Sequence, residues 1–283
     1  MKTKFIMVTD FYFSEVNGGA EANAEALIDR FKDCNYSIIK IKSEDINIEY
    51  LKTNKNKIFI FSNFILLKES CKQYAVDNLT YFIYEQDHKY IKSRNPIKYV
   101  NFIAPIEERV NIHFYNGAKK VLFLTKLSME IFQKNTELDN LLNLSSSVWR
   151  KEELEYIKTI HNNKKNDKIA IMNSDNPIKR KHDCIKTCKK NNWDYDLISD
   201  KNFKNFLKKL SGYKKLLFLT GHLETCARIV VEAKMLNLKV ITNKKLIGAA
   251  SEKWYSLHGS ELIDKMEEIS ANMPFKIVEA LND

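Results

Sequence analysis

The stretch Gly221-His222-Leu223-Glu224-Thr225-Cys226-Ala227-Arg228-Ile229-Val230-Val231-Glu232-Ala233-Lys234-Met235 decides the fold. An apolar run at 216–220 precedes it, and Val240-Ile241-Thr242-Asn243 follows. The two runs predict buried strands, while Ile229, Val230, Val231, Ala233 and Leu236 predict a helix with a broad buried face. Strand, loop, helix and strand in immediate succession make the βαβ unit of a parallel sheet. One acid, Glu224, falls in the loop, and a second, Glu232, emerges from the apolar helix surface. A carboxylate in that setting needs a partner, and ribose hydroxyls, donating two hydrogen bonds to one carboxylate, would serve. The amides of Thr225, Cys226, Ala227 and Arg228 open the helix and suit a phosphate.

The same alternation runs outward in both directions. Strands are expected at 5–9, 37–41, 57–61, 81–84 and 120–124, then at 169–173, 195–198, 216–220 and 240–243. Helices are expected at 20–31, 64–76, 105–115 and 126–134, then at 181–191, 203–210, 227–236 and 261–269. A small polar run, Leu144-Ser145-Ser146-Ser147-Val148-Trp149, separates the patterns, giving α/β domains at 1–147 and 148–283. The charged segment 151–163 reads as a helical connector on the second. Ligands of open parallel sheets bind beyond the C-terminal ends of the strands, and the candidate motifs fall there.

Composition narrows the classes. A chain of 283 residues fits two domains, and 44% hydrophobic with 29% charged residues is ordinary for a soluble protein. No run approaches the roughly 18 apolar residues of a membrane span. The N-terminus enters a strand ending at Asp10 without the features of a signal peptide, which reads as cytoplasmic. Five scattered cysteines fit reduced thiols, and Cys184 and Cys188, sharing a helix face, fit packing better than metal. The formal net charge of +10 suits an anionic partner, such as nucleic acid, a membrane face or a nucleotide diphosphate, without choosing among them.

Three further segments carry candidate chemistry. Asn17-Gly18-Gly19-Ala20-Glu21 joins the first strand to the first helix, as a tight turn or as a close approach to a ligand. It is not a dinucleotide fingerprint, which needs a third spaced glycine. Tyr84-Glu85-Gln86-Asp87-His88-Lys89 follows the fourth strand, as a solvated loop or as a polar site whose histidine meets a sugar hydroxyl. Lys179-Arg180-Lys181 follows the strand at 169–173, where cations can neutralise a diphosphate leaving group.

The 221–250 block resembles the Glu-x7-Glu motif of retaining, family-4-like glycosyltransferases. Glu224 and Glu232 match its two acids, Ala233 and Met235 its helix, and Gly248-Ala249 its following loop. Gly18-Gly19-Ala20-Glu21 and His88 match its N-terminal glycine loop and histidine. The Phe-Gly usual after the first acid is Cys226-Ala227 here, and the usual diphosphate arginine falls near Asn173-Ser174. The resemblance implies a GT-B fold, an α/β architecture of two Rossmann-like domains whose parallel sheets face a central cleft. It implies retaining transfer from a nucleoside diphosphate sugar, UDP-linked, with no cofactor and no metal. His88, Glu224 and Lys179 would be catalytic. Gly18, Gly19, Lys179, Lys181, Glu224, Thr225, Cys226, Ala227 and Glu232 would bind the donor, and Glu21, Glu85, Asp87, Lys89 and Arg94 the acceptor. DNA carrying a hydroxymethylated base, as phage enzymes decorate, and a lipid-linked or surface glycan are the acceptors considered. A sugar-nucleotide epimerase and a non-catalytic basic α/β binding module are the competing readings.

Overall fold

The computed structural model describes residues 4–16 and 18–282. Contacts divide the chain into two compact units, residues 1–148 with 269–283, and residues 149–268. The expected C-terminal domain, 148–283, is therefore shortened. The last helix, Gly259–Glu279, starts in the second unit and ends in the first.

The first unit holds strands β1 (Lys4–Thr9), β2 (Ser37–Lys42), β3 (Ile58–Phe61), β4 (Tyr81–Glu85), β5 (Lys120–Phe123) and β6 (Leu141–Asn143). All pairs are parallel, in the order β2-β1-β3-β4-β5-β6. The connections include helices α1 (Gly19–Asp33), α2 (Ile48–Thr53), α3 (Glu69–Asn78), α4 (Ile112–Asn116) and α5 (Lys126–Thr136). Strand order reverses between β1 and β3, so the loops after these two strands border a topological switch point. The β3 run Ile-Phe-Ile-Phe is apolar because helices cover both faces of such a sheet.

The helix expected over 105–115 shrinks to α4, preceded by a 3-10 turn at Ile106–Glu108. Asn111, its N-cap, has φ 60, and extended backbone at Pro105 and Arg109 interrupts the helical period. The helix expected from 64 begins at 69, because Asp10 accepts from the amides of Ile65 and Leu66 at 3.0 and 3.1 Å and fixes a turn there. α2 and β6 were not anticipated; both are short for their period to show.

The second unit holds α6 (Lys151–Ile160), β7 (Asn166–Met172), α7 (Lys181–Lys190), β8 (Tyr195–Ile198), α8 (Phe203–Ser211), β9 (Tyr213–Phe218), α9 (Arg228–Met235), β10 (Lys239–Thr242) and the start of α10 (Gly259–Glu279). Its parallel sheet runs β10-β9-β7-β8, with the reversal between β7 and β9. Cys184 and Cys188 lie in its core with Ile169, Ile171 and Leu217, as packing residues. Among the described residues no helix is long and apolar enough to cross a membrane.

An aromatic cluster holds the first core. Phe114 packs edge-on to Phe61 and Phe64, both at 5.1 Å between ring centroids, and stacks on Tyr81 at 5.0 Å. It is 1% exposed. Phe114→Ala should destabilise the first unit by about 3–5 kcal/mol, through lost contacts and the cavity left behind. Urea unfolding followed by near-ultraviolet circular dichroism measures this, and an unchanged midpoint would contradict the packing described.

Candidate functional site

In the second unit, the loops that follow β7, β9 and β10 are bonded to one another through backbone. Gly221 N–H donates to the Ile178 carbonyl at 2.8 Å, joining the loops after β9 and β7. A Cβ at Gly221 would stand 3.3 Å from Arg180 Cδ, so glycine permits this approach. Glu224 N–H donates to the Leu246 carbonyl at 2.9 Å, and Gly248 N–H to the Glu224 carbonyl at 2.8 Å. Glu224 and Ile247 thus form one parallel rung beyond the ends of β9 and β10.

That rung aims the Glu224 side chain. Its Oε1 accepts from Lys179 Nζ at 2.8 Å and from Thr220 Oγ1 at 3.3 Å. Lys179 and Glu224 keep 25% and 16% of their side chains exposed, so the pair remains open to a ligand. Lys179 ends a 3-10 turn, Pro177–Lys179, and Arg180 follows with φ 44. This left-handed residue turns the chain, so Lys181 goes elsewhere. Its ammonium donates to Asn173 Oδ1 at 2.9 Å and Asp175 Oδ1 at 3.0 Å. Of the two lysines, Lys179 is therefore the one at Glu224.

Thr225, Cys226 and Ala227 are 8%, 2% and 7% exposed, so only their backbone could serve a ligand. Ala227, the N-cap of α9, has φ 66, where an L-residue costs about 1–2 kcal/mol. This is where the resembling motif carries glycine, and the observed φ gives the reason. The first turn of α9 follows directly and brings the positive end of the helix into the loop.

Glu232 is 3% exposed, and its partners come from the protein itself. Trp149 Nε1 and Arg228 Nε donate to its Oε1 at 3.4 and 3.3 Å. Arg228 also reaches Glu153 Oε2 at 3.2 Å and lies over the Trp149 ring, 4.8 Å from its centroid. Burial pushes the Glu232 carboxyl above its ordinary range, against the pull of Arg228. The sequence uses Arg228 only for its amide at the helix start, and the role of its side chain was missed. Trp149 was seen only as part of the boundary run.

The first-unit candidates separate into two sets. Gly18 is the extended N-cap of α1 (φ −112), and neither Gly18 nor Gly19 takes a positive φ, so no tight turn demands them. A Cβ at Gly19 would meet nothing within 4 Å, whereas the space beside Gly18 is taken by Glu21 Oε2. Asn17 lies outside the described residues. Glu85, His88 and Lys89 are each 1% exposed. Lys89 binds Asp87 and Glu85, Tyr115 donates to Glu85, and His88 Nδ1 meets Tyr90 at 3.1 Å. Glu85 and Lys89 thus hold one another and Tyr115, and His88 holds Tyr90, with little side chain exposed in each.

Glu21, Asp87 and Arg94 remain accessible. Arg94 pairs with Asp87, and Asp10 and Ser43 form a further buried pair after β1. Burial favours a protonated Asp87, but Lys89 and Arg94 outweigh it and hold the carboxyl below its usual range. Burial, with Asp87 and Asp10 nearby, pushes the Glu21 carboxyl up.

No family model matches the sequence, and no curated protein sequence matches it. Solved structures do match in fold. Anabaena Alr3699/HepE in complex with UDP and glucose aligns over 96% of this chain and 90% of that one, at 10% identity and a TM-score of 0.54. Methanocaldococcus jannaschii UDP-GlcNAc 2-epimerase in complex with UDP-GlcNAc and UDP aligns over 100% and 99%, at 12% identity and 0.51. The pneumococcal O-GlcNAc transferase GtfA in complex with UDP and GlcNAc aligns over 83% of this chain and 60% of that one, at 11% and 0.51. The likeness is one of fold, and the chain has the two-unit, Rossmann-like architecture of GT-B proteins.

Arg228 neutralises the buried Glu232 and the partly buried Glu153, so Arg228→Met should cost about 3–5 kcal/mol at neutral pH. The variant should regain stability as pH falls. A carboxyl whose folded pKa is raised favours the folded state below that pKa and loses this contribution as pH rises through it. Thermal unfolding between pH 5 and pH 8 measures both effects; a deficit independent of pH would contradict the pairing.

Proposed function

We propose that the chain is a glycosyltransferase that moves a sugar from a UDP-sugar to an acceptor hydroxyl with retention of anomeric configuration. The observation that carries this reading is the Lys179–Glu224 pair, 2.8 Å apart, at the switch point of the second sheet and beside the N-terminus of α9. An ammonium and first-turn helix amides in one loop cluster are what a diphosphate leaving group needs, since both stabilise the charge that develops as the glycosidic bond breaks. The UDP held by the HepE and GtfA structures of similar fold supports the same donor class.

In this scheme the diphosphate replaces Glu224 as the partner of Lys179, which frees the carboxylate for the sugar hydroxyls. Thr225, Cys226 and Ala227 contribute backbone, and Glu232 accepts from the ribose. Lys181 supports the loop at Asn173 and Asp175 and reaches the diphosphate second. The carbon–oxygen bond to the diphosphate breaks as the acceptor oxygen attacks the same face, and the departing diphosphate takes the acceptor proton. The chemistry assigns no step to a metal. Gly18, Gly19, Glu21, Asp87 and Arg94 belong to the acceptor side of the first unit, and His88 acts through Tyr90 as part of the framework beneath them.

The acceptor we propose is a polyanion, DNA bearing a hydroxymethylated base, supported by the net charge of +10. A second donor-side reading, sugar-nucleotide epimerisation, is favoured by the full-length similarity to the M. jannaschii epimerase. Product analysis without acceptor separates them, because an epimerase converts the donor sugar and a transferase leaves it unchanged.

Two measurements test the proposal. Glu224→Ala should lower nucleotide release from UDP-sugars by about 100-fold or more, and Glu232→Ala should chiefly raise KM for the donor. Full activity in both variants, across a panel of UDP- and GDP-sugars, would remove the site assignment. Transfer to modified DNA should also fall steeply between about 50 and 200 mM salt, as phosphate contacts release counterions. Salt-independent turnover, or indifference to DNA, would exclude this acceptor and favour a glycan.

A further inference from the structure

A second feature of the 149–268 unit has no part in that scheme. A cavity of about 370 Å³ is lined by Lys234, Asn237, Lys239, Lys244, Tyr255 and His258 among others, and by none of Lys179, Lys181, Glu224 or Glu232. Lys234 comes from the end of α9, Lys239 opens the edge strand β10, and Lys244 lies in the loop beyond it.

Lys234 is only 4% exposed. Its ammonium donates to His258 Nε2 at 2.8 Å and lies over the Tyr255 ring, 4.5 Å from the centroid. A buried ammonium ordinarily has a carboxylate beside it, yet no acid lines this cavity. Its charged lining is three lysines. Burial and neighbouring Lys244 pull the Lys234 amine down to about 8, and burial and Lys234 push the His258 ring below its ordinary value. α10 starts directly after His258, whose carbonyl accepts from Leu262 N–H at 3.4 Å, so the positive end of a 21-residue helix adds to the same potential.

Cations gathered without a counter-charge, around a space larger than one water, define an anion site. We propose that this cavity binds a phosphate-like oxyanion, either free phosphate or the charged end of a small phosphate monoester. Lys234, Lys239 and Lys244 provide the counter-charge. His258 changes from acceptor of the Lys234 proton to donor toward the anion, and Tyr255 covers the Lys234 stem. The volume leaves room beside the oxyanion for the organic group of a monoester.

The experiment is performed on the full chain at pH 7, with inorganic phosphate and glycerol 3-phosphate as probes. Affinity is followed by isothermal titration, and Lys234 itself by NMR of 13Cε-labelled lysine, its signal identified through Lys234→Arg. Phosphate should raise the Lys234 titration by about one pH unit, since an anion favours the ammonium. Lys239→Ala and Lys244→Ala, at exposed positions, should each weaken the probe by about fivefold, while Lys179→Ala should leave it unchanged. Stronger binding of glycerol 3-phosphate identifies a monoester as occupant; equal binding identifies the free oxyanion. An unmoved Lys234 titration, or affinity that survives Lys239→Ala and Lys244→Ala, would overturn the proposal. So would binding lost only in Lys179→Ala, which would place the anion at the Glu224 loop. Because the probes read Lys234 directly, failure here is distinct from failure of the transferase reading.

Discussion

Three loops depend on four backbone hydrogen bonds: Gly221 to Ile178, Glu224 to Leu246, Gly248 to Glu224, and Ala249 to Cys226. They lie past the C-terminal ends of β7, β9 and β10, where the regular ladder has stopped. Strand order reverses between β7 and β9, so the connections leave on opposite sides and a crevice opens there in any sheet of this order. Left to themselves, such loops would be mobile, as connections with exposed backbone generally are. The bonds remove that freedom at one residue in particular. Glu224 both donates and accepts in the rung with 246–248, so its side chain leaves the backbone in a fixed direction, toward Lys179.

Buried charge sets the second constraint. Arg228, Glu153 and Glu232 share one desolvated cluster with the Trp149 indole, and two carboxylates face one guanidinium. Such a cluster costs desolvation free energy that its internal attraction only partly returns. The first unit repeats the pattern with Lys89, Glu85, Asp87 and Tyr115 under the end of β4. In the first unit the charged network directly follows the C-terminal end of β4. There Glu85 accepts from the backbone amides of Asp87 and Lys89, so it fixes backbone while Glu85 and Lys89 themselves stay closed to solvent.

That difference marks the limit of what the sequence discloses. Among the described residues nine of the ten strands are visible as short runs rich in apolar residues, most plainly those buried on both faces such as β3 and β4; β6, three half-buried residues, is not. Helices with a continuous apolar face, such as the one over 227–236, are equally plain. The 105–115 segment fails because tertiary constraint at Pro105, Arg109 and Asn111 overrides its period. At the site, Glu224 and Lys179 are legible from type and position after strands. The burial of Glu85, His88 and Lys89 is not, because a charged run carries no sign of the network that closes around it. Arg228 escapes notice for the same reason. Its pair with Glu232 has local helix spacing, but its other partner, Glu153, lies 75 positions away in the chain, and no local pattern encodes that distance.

α9 shows how one short element can serve two electrostatic purposes. Glu232 and Lys234 are two positions apart on a helix, hence about 200° around its axis and on opposite faces. The intervening and flanking residues, Val231, Ala233 and Met235, are fully buried and apolar. An Arg228 guanidinium meets one face, and on the other Lys234 meets, among the described residues, an imidazole and an aromatic ring. The carboxylate is thus compensated within the fold, while the ammonium is not. A fold that tolerates this asymmetry either carries the cost of an uncompensated buried cation or meets it with an anion from solution. The open, acid-free space beside Lys234 is the arrangement in which the second solution is available.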